Sequence, residues 1–585
     1  MWRRAIAQVR ALGTHENNVL ILSAVAVGVL AGSGAVALEF ALRGAGALFL
    51  GATEPTTTSY LRVLVAPAIG GLLVGPMITR FASEAKGHGV PEVMEAVALR
   101  GGRIRGRVAV IKTVASALTI GSGGSAGREG PIVQVGSALG SQVGRILRMS
   151  EERVRTLVAC GAAGGIAAAF NAPLAGVFFA LEVILQRFTT TGFGTVVISA
   201  VTSAVIWRTA FGNSPVLDVP LFGLRHPVEL LFYVGLGLAA ALVAVAFVRV
   251  LYWSEDRFDA LPVPEALKPA VGGLALGGFG VLTILVIGQP LIFGNGLLGI
   301  DRALANDLVW WALLLLVPGK IVATSLTLGS GASGGVFAPS LFMGAMLGGA
   351  VGQGVNALFP EASAQPGAYA MVGMAAVFSG AAQAPISAIL ILFEMTNDYR
   401  IILPLMLACI VATAAYSALQ RDSIYLVKIR RKGLRLSEGR ERHLLERTPV
   451  ARAILDDFTA LQLPAELSSV HGQMQDAGLE WLICVDEDGR FRGLLSFDRV
   501  ERALEDGKVS DLEEIVDDDV LPVIPTESLD DAFRKIAPRD LSILPVIGDL
   551  ASREVIGIVS RDSLTGAYWA ALGETSRRTD EGRRA

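Results

Sequence analysis

The sequence predicts an all-α polytopic membrane protein, an inverted-repeat bundle of broken helices, followed by a small α/β pair on the cytoplasmic side. Three observations support this fold class. Of 585 residues, 52% are apolar and only 18% are charged, whereas soluble domains carry about 25% charged residues. One stretch of sequence occurs twice, and both copies are interrupted by glycine and proline. After about residue 433 the composition changes, and the rest of the chain is rich in charged residues.

Long uncharged stretches identify the membrane domain. About 20 consecutive apolar residues cross a bilayer. Five uncharged stretches approach or exceed that length, at 20–38, 188–207, 269–300, 321–360 and 401–420. A large soluble core is the alternative, but soluble helices of that length have a polar face. We therefore predict a transmembrane domain over residues 1–432, with repeats at about 15–215 and 225–420.

Residues 112–140 and 320–348 are two copies of one sequence. Aligned at an offset of 208 residues, they are identical at 14 of 29 positions, and after a four-residue slip the match resumes at Pro173 and Pro385. Breaks in apolar helices leave backbone groups unpaired, which a membrane tolerates only where they are buried or line a watery pathway. Transporters built from two related halves bind their substrate where such broken helices meet. The repeat therefore predicts an ion pathway at these breaks.

Glu129 lies within the break of the first copy, in the sequence Gly-Arg-Glu-Gly-Pro at 127–131. A carboxylate inside a membrane domain is costly and is a functional candidate by default. The proline suits the first turn of a helix, and the free N–H groups of a helix start bind anions. We expect Glu129 to compete with an anion for such a site and to leave it on protonation, as a gate. The alternative is a structural ion pair between Glu129 and Arg128.

Two further glycine-containing turns resemble the first. In the second copy, Gly-Val-Phe-Ala-Pro at 335–339 places Phe337 where the first copy has Glu129. This turn therefore predicts a second helix start that could bind an anion, without a carboxylate on the same turn to compete for the site. The third turn, Gly-His-Gly-Val-Pro-Glu at 87–92, contains His88. A histidine can donate a hydrogen bond to an anion and titrates near neutral pH; a packing role is the alternative.

The composition excludes several other functions. The net charge of −3 gives no indication of a nucleic-acid partner. The five histidines are scattered, and the three cysteines form neither a disulfide framework nor a zinc signature. We therefore predict no enzyme, no catalytic residue, no metal centre and no cofactor. An intramembrane enzyme or a metal transporter is a hypothesis of another class, but the apolar stretches supply neither a nucleophile with a base nor clustered acids.

The three turns resemble, in the same order, those of the CLC family of chloride channels and chloride/proton exchangers. The family's Gly-Ser-Gly-Ile-Pro corresponds to 87–91, its Gly-Arg-Glu-Gly-Pro to 127–131 and its Gly-x-Phe-x-Pro to 335–339. Its central tyrosine resembles Tyr425. The resemblance implies a homodimer in membrane lipid, with chloride or a related anion passing through one pore in each subunit.

The resemblance also implies which residues form the site. Glu129 would be the external gating glutamate. The expected anion-binding residues are Gly87, His88, Gly89, Arg128, Glu129, Gly130, Val336, Phe337, Ala338 and Tyr425.

Two departures from the family pattern shape the predicted function. His88 replaces the usual serine of the central anion site, which predicts a different selectivity or pH response. Val183 occupies the position of the exchangers' internal proton glutamate, and Glu182 lies one residue earlier, a rotation of about 100° on an α-helix. We therefore predict a passive, voltage-gated or pH-gated chloride channel that opens when Glu129 is protonated or moves. The alternative is a chloride/proton antiporter with a non-standard internal proton route.

Residues 433–573 resemble a pair of CBS modules that could modulate transport, with units at about 448–506 and 507–570, before a polar tail at 574–585. Each unit shows an apolar strand, a turn and a second strand leading into a helix. Nucleotide-binding modules place an aspartate three residues after the Ser/Thr of the closing strand. Asp498 and Asp562 follow Ser496 and Ser560 by only two residues, so the spacing does not favour an adenine nucleotide.

Basic residues flank both ends of the membrane domain. Clusters of Lys and Arg favour the cytoplasmic side, so we expect a multi-pass protein of the cell membrane with both termini in the cytoplasm. The flanking residues are Arg3, Arg4 and Arg10 before the first span and Arg430, Arg431, Lys432, Arg435 and Arg440 after the last.

Overall fold

The computed structural model describes residues 16–51, 60–186, 190–213, 217, 223–434, 445, 448–506, 512–536, 541–549 and 551–581. The basic residues Arg3, Arg4, Arg10, Arg435 and Arg440 lie outside this part. The chain divides into two compact units, Met1–Leu436 and Ser437–Ala585.

The described part of the first unit is helical. In chain order its helices are α1 (Glu16–Leu50), α2 (Tyr60–Phe81), α3 (Val90–Leu99), α4 (Arg107–Gly121), α5 (Glu129–Ile146), α6 (Glu151–Phe170), α7 (Pro173–Phe179), α8 (Thr190–Phe211), α9 (Glu229–Asp259), α10 (Lys268–Ile287), α11 (Leu297–Leu304), α12 (Trp310–Gly329), α13 (Phe337–Leu358), α14 (Pro366–Ala382), α15 (Pro385–Thr396), α16 (Ile402–Leu419) and α17 (Ile424–Arg431). A π-helical segment, Ala180–Leu185, continues α7. Within the described ranges, nine helices are long and apolar enough to cross a membrane.

Helices α1–α8 and α9–α16 repeat the same packing. Helix α1 packs against α8 as α9 packs against α16. Gly136 of α5 faces Gly161 of α6, and Gly344 of α13 faces Gly373 of α14 in the same way. In each pair the carbonyl of one glycine occupies the place that a Cβ of the other would take. Such small residues permit the close helix contacts that drive association in membranes.

The two halves also contact each other reciprocally. Gly71 of α2 lies against the carbonyl of Pro269 in α10, and Gly273 of α10 lies against the carbonyl of Pro67 in α2. A contact that is matched by its counterpart in the other half is expected when two repeats are related by a two-fold axis. Helices α2 and α10 are therefore equivalent in the two halves.

The second unit is a small α/β assembly. Strands β1 (Ala460–Gln462), β2 (Trp481–Val485) and β3 (Phe491–Ser496) form a sheet in which β1 is parallel and β3 antiparallel to β2, and β4 (Ile543–Ile547) pairs antiparallel with β5 (Val555–Ser560). Its helices are α18 (Leu467–Ala477), α19 (Phe497–Asp506), α20 (Leu529–Ile536) and α21 (Arg561–Glu581). Strands β3 and β5 lead directly into α19 and α21, and α21 extends beyond 574, where the polar tail was expected. The helical unit and this α/β unit confirm the predicted fold class.

Candidate anion site

Three helix starts converge in the first unit, those of α3, α5 and α13. The N–H of Gly127 donates to the carbonyl of Gly335 at 2.7 Å, and the N–H of Gly335 donates back to Gly127 at 2.6 Å. The N–H of Gly87 donates to the carbonyl of Ala332 at 3.1 Å. The loops before the three helices are therefore hydrogen-bonded together across the two halves.

The carboxylate of Glu129 lies at the start of the second-half helix α13. Its Oε2 accepts the N–H of Ala338 at 3.4 Å, and the residue is only 3% exposed. Gly127 makes room for it, because a Cβ at that position would collide with this oxygen. The N-terminus of a helix carries partial positive charge and unpaired N–H groups. Glu129 thus occupies a place where a free anion would otherwise bind.

Six of the expected site residues line one small space. They are His88, Glu129, Gly130, Val336, Phe337 and Tyr425, together with Val90, Val133, Ile166 and Phe179. The ring of Phe337 packs between those of Phe170 and Phe378, with centroids at 4.8 and 3.9 Å. The space is therefore apolar on one side and has the carboxylate, the imidazole and helix starts on the others.

The remaining glycines of the site shape its backbone. Gly87 and Gly89 flank His88 with φ angles of 76° and 82°, a region that glycine adopts without strain. A Cβ on Gly130 would collide with the carbonyl of His88. These glycines therefore let the His88 loop lie directly against the first turn of α5.

Arg128 is turned away from Glu129. Its guanidinium pairs with Glu39 of α1, donates to the carbonyl of Ala169 at 3.0 Å and lies 5.5 Å from the ring centroid of Trp207. The alternative of an Arg128–Glu129 ion pair is therefore wrong, because the guanidinium is committed elsewhere. Sequence reasoning missed Glu39, although an acid inside a long apolar helix is itself a signal.

Two buried lysines from the repeated sequence hold equivalent loops. The Nζ of Lys112 donates to the carbonyl of Gly87 at 2.6 Å, and the Nζ of Lys320 donates to the carbonyl of Gly294 at 3.0 Å. Each also donates to a second carbonyl two residues earlier. Both side chains are fully buried. Lys112 therefore stabilises the loop that carries His88.

Val183 lies in the π-helical segment and is 4% exposed. It is not among the residues that line the small space. The adjacent Glu182 turns toward α15, where its carboxylate accepts the N–H of Ser387 at 2.8 Å. π-Helical turns are frequent at functional sites, but here the segment presents an apolar side chain.

A second, charged cavity of about 390 Å³ adjoins α3 and α17. Its lining includes four carboxylates and six cations, namely Glu84, Glu92, Glu95, Glu255, Lys86, Arg100, Arg103, Arg105, Lys428 and Lys432. Glu92 pairs with Lys428 at 2.9 Å. In the part of the chain that the structure describes, no group of His, Cys, Asp or Glu side chains is arranged to hold a metal ion.

A family model described as "Voltage gated chloride channel" matches residues 70–417, and a model of the CBS domain matches residues 509–570. The chain belongs to the CLC family. This is a family of membrane ion transporters rather than of enzymes.

Individual CLC proteins resemble the chain over most of their length. A "putative chloride channel protein ClcB-like" of Ralstonia nicotianae is 39% identical over 366 residues, which cover 62% of this chain and 84% of that protein. The "H(+)/Cl(-) exchange transporter ClcA" of Vibrio parahaemolyticus is 35% identical over 441 residues, 72% of this chain and 91% of that protein. The crystal structure of a "slow cyanobacterial Cl-/H+ antiporter" matches with a TM-score of 0.64 and 28% identity, over 73% of this chain and 99% of that one.

The prediction of a passive, voltage-gated or pH-gated channel is wrong. Although one relative is named a putative channel, the exchange transporter and the antiporter structure favour the alternative, coupled exchange. The prediction depended on Val183. A valine removes one proton-carrying group, but it leaves other titratable groups close to the site, notably Glu92 and His88. The absence of one group is therefore insufficient evidence against proton transfer.

Proposed function

We propose that this CLC protein exchanges chloride for protons across the cell membrane. The observation that carries the proposal is the contact between the carboxylate of Glu129 and the N–H of Ala338, inside a space that His88 and Tyr425 also line. The resemblance to proteins named as H+/Cl− exchangers supports it.

Exchange follows from competition for one helix start. When Glu129 is ionised, its carboxylate takes the place of the anion at α13 and blocks the path. When Glu129 is protonated, it loses its attraction to the N–H groups and leaves, so that chloride can bind there. A chloride ion and the ionised carboxylate therefore exclude each other, which links anion movement to a protonation step. The backbone at Val336 and Phe337 and the side chains of His88 and Tyr425 would hold the chloride.

Flux in liposomes tests the proposal. The purified full chain is reconstituted, and an outward chloride gradient is imposed without a proton gradient. We expect chloride efflux to drive protons inward, and the membrane potential at zero current to depend on both gradients. A potential that follows the chloride gradient alone, at any pH, would contradict exchange.

We further propose that the protein is a homodimer in membrane lipid with both termini in the cytoplasm, as the family resemblance implies. The basic end of α17, with Arg430 and Arg431 before Lys432, supports a cytoplasmic C-terminus. The mass of the protein in lipid nanodiscs tests the dimer. To test the orientation, a cysteine is introduced at each terminus of the protein and labelled on intact cells with a reagent that does not cross the membrane. A monomeric mass, or labelling from outside, would contradict the respective part.

We also propose that the soluble pair functions without an adenine nucleotide. A cleft of about 660 Å³ in this unit is lined by Glu480 and Asp498, and its described lining includes no Lys or Arg. Two carboxylates and no cation disfavour a phosphate group. ATP at millimolar concentration should therefore leave the melting temperature of the full chain unchanged; a saturable increase would overturn the proposal.

A further inference from the structure

The two ring nitrogens of His88 have different surroundings. Nε2 lies 3.4 Å from the hydroxyl of Tyr252, and that hydroxyl donates its own proton to the carbonyl of Ile424 at 2.5 Å. Because the tyrosine proton is already used, the tyrosine oxygen can only accept from His88. The neutral ring therefore carries its proton on Nε2, and Nδ1 has a lone pair.

Nδ1 of His88 is buried and has no hydrogen-bond partner among the described residues. The residue is 3% exposed and lines the space that contains Glu129. A buried acceptor without a donor is unfavourable, and a lone pair does not attract chloride. When Nδ1 takes up a proton, it becomes a donor that a chloride ion in the space could accept, so that proton and anion would satisfy each other there. Nδ1 is therefore the atom of His88 at which a proton can be taken up beside the anion site.

Glu92 is a candidate donor for that proton. It lies four residues after His88, on the first turn of α3, and the two groups are close enough to interact electrostatically. Its Oε1 pairs with Lys428 at 2.9 Å, whereas its Oε2 is buried without a partner in the described part of the chain. Glu92 lines the charged cavity and also interacts electrostatically with His88.

We propose that Glu92 and His88 form the internal proton route of this exchanger, in place of the glutamate that Val183 replaces. The inference rests on the proposed exchange function. Protonated Glu92 gives its proton to Nδ1 of His88, either directly or through water, and becomes a carboxylate again. The proton leaves His88 for Glu129, and the ring returns to the neutral form with its proton on Nε2. No oxidant or further reactant is needed.

The charges around His88 make this protonation short-lived. The groups that face it from the neighbouring elements are Glu92 on α3, Lys112 on α4, Glu129 on α5, Tyr252 on α9, Tyr425 and Lys428 on α17, and Lys432 directly after α17. Burial and the lysines oppose a positive charge on the ring, whereas a chloride ion in the space favours it. We therefore expect proton passage through His88 to depend on chloride occupancy.

Glu182, the carboxylate next to Val183, is less suited to this role. Both carboxylate oxygens of Glu182 accept backbone N–H groups, from Ile386 at 3.2 Å and from Ser387 at 2.8 Å. Both oxygens of Glu182 are therefore occupied by donors of α15, whereas Oε2 of Glu92 has no partner in the described part of the chain.

The test uses the full chain in liposomes and begins with the wild-type protein. Without chloride-driven proton uptake by wild type, the proposed exchange function itself fails. With wild-type exchange present, His88→Ser should lower the number of protons moved per chloride ion by about a hundredfold, a typical loss for a proton-transfer group. This ratio is the readout because His88 also lines the anion site, so that chloride flux itself can change. His226→Ser is the matched control, because His226 is exposed and lies in the loop before α9; it should leave both fluxes unchanged. Unchanged proton flux in His88→Ser would overturn the route.

Glu92→Gln is the second variant and keeps an oxygen for Lys428. This variant should lose proton flux and retain chloride flux. The remaining chloride flux should no longer depend on the pH of the solution on the side of the membrane where the charged cavity lies. Retained proton coupling in this variant would overturn the proposal. So would the loss of both fluxes in both variants at a wild-type melting temperature, because the two residues would then serve the anion rather than the proton.

Discussion

Glu182 and Glu394 cap the first turns of each other's helices. Glu182 in the first half accepts the N–H of Ser387 in α15 at 2.8 Å, and Glu394 in α15 accepts the N–H of Ala175 in α7 at 2.7 Å. The sequence repeat aligns the two glutamates. A carboxylate at a helix start satisfies unpaired N–H groups and complements the helix dipole. The short helices α7 and α15 therefore stabilise one another across the two halves.

Glu182→Ala should lower the free energy of unfolding by about 1–2 kcal/mol, the usual value for a lost N-terminal cap. Glu394→Ala should have an effect of the same size. Thermal unfolding in detergent measures both, with Glu361→Ala as the control because Glu361 is exposed in a loop. Glu182→Gln should leave the ratio of protons to chloride unchanged. A changed ratio would make Glu182 part of the proton route.

Glu129→Gln should separate anion flux from proton flux. Glutamine cannot release a proton or compete as an anion for the N–H of Ala338, so chloride should pass without protons and independently of external pH in the acid range. Proton flux should fall to the level of empty liposomes. Glu361→Gln serves as the control. Chloride-driven proton flux that persists in Glu129→Gln would contradict the proposed role of Glu129.

The pair formed by Arg128 and Glu39 should be strongly coupled. The two side chains are only 11% and 12% exposed. Removing one partner leaves a buried charge, so Glu39→Gln should destabilise the protein by about 3–5 kcal/mol. Adding Arg128→Gln should recover part of that loss. A double-mutant cycle from chemical unfolding in detergent gives the coupling energy; strictly additive effects would contradict the pair.

The two repeated lysines should differ in function although their contacts are alike. Lys112→Met and Lys320→Met each remove a buried donor from two carbonyls, which costs about 1–3 kcal/mol. Only the Lys112 loop carries His88, so only Lys112→Met should also weaken chloride binding. Calorimetric titration with chloride and thermal unfolding measure the two effects. Equal losses of chloride affinity would show that the loop of Lys320 contributes to the site as well.

Much of this arrangement could be predicted from the repeat. Glycine and proline at equivalent positions predicted the paired broken helices, and a lone carboxylate beside a helix start predicted the position of Glu129. Contacts between distant side chains could not be predicted. Glu39 lies 89 residues from Arg128, and Tyr252 lies 164 residues from His88. No local spacing relates such residues, because helix packing alone brings them together.

The choice between channel and exchanger was wrong for a related reason. Val183 is a single position, and its side chain reveals only whether that position can carry a proton. Proton transfer needs a chain of neighbouring donors and acceptors, whose members come from different helices. Glu92 and His88 were both visible in the sequence, but their unpaired atoms became apparent only in the folded chain.

The reciprocal hydrogen bonds between Gly127 and Gly335 limit how this protein can move. They join the two halves directly beside Glu129, and a rocking motion of one half against the other would break both at once. Many transporters with inverted repeats open alternately to each side by such rigid-body motion. In this protein two backbone hydrogen bonds oppose such a motion, whereas a rotation of the Glu129 side chain would leave both of them in place.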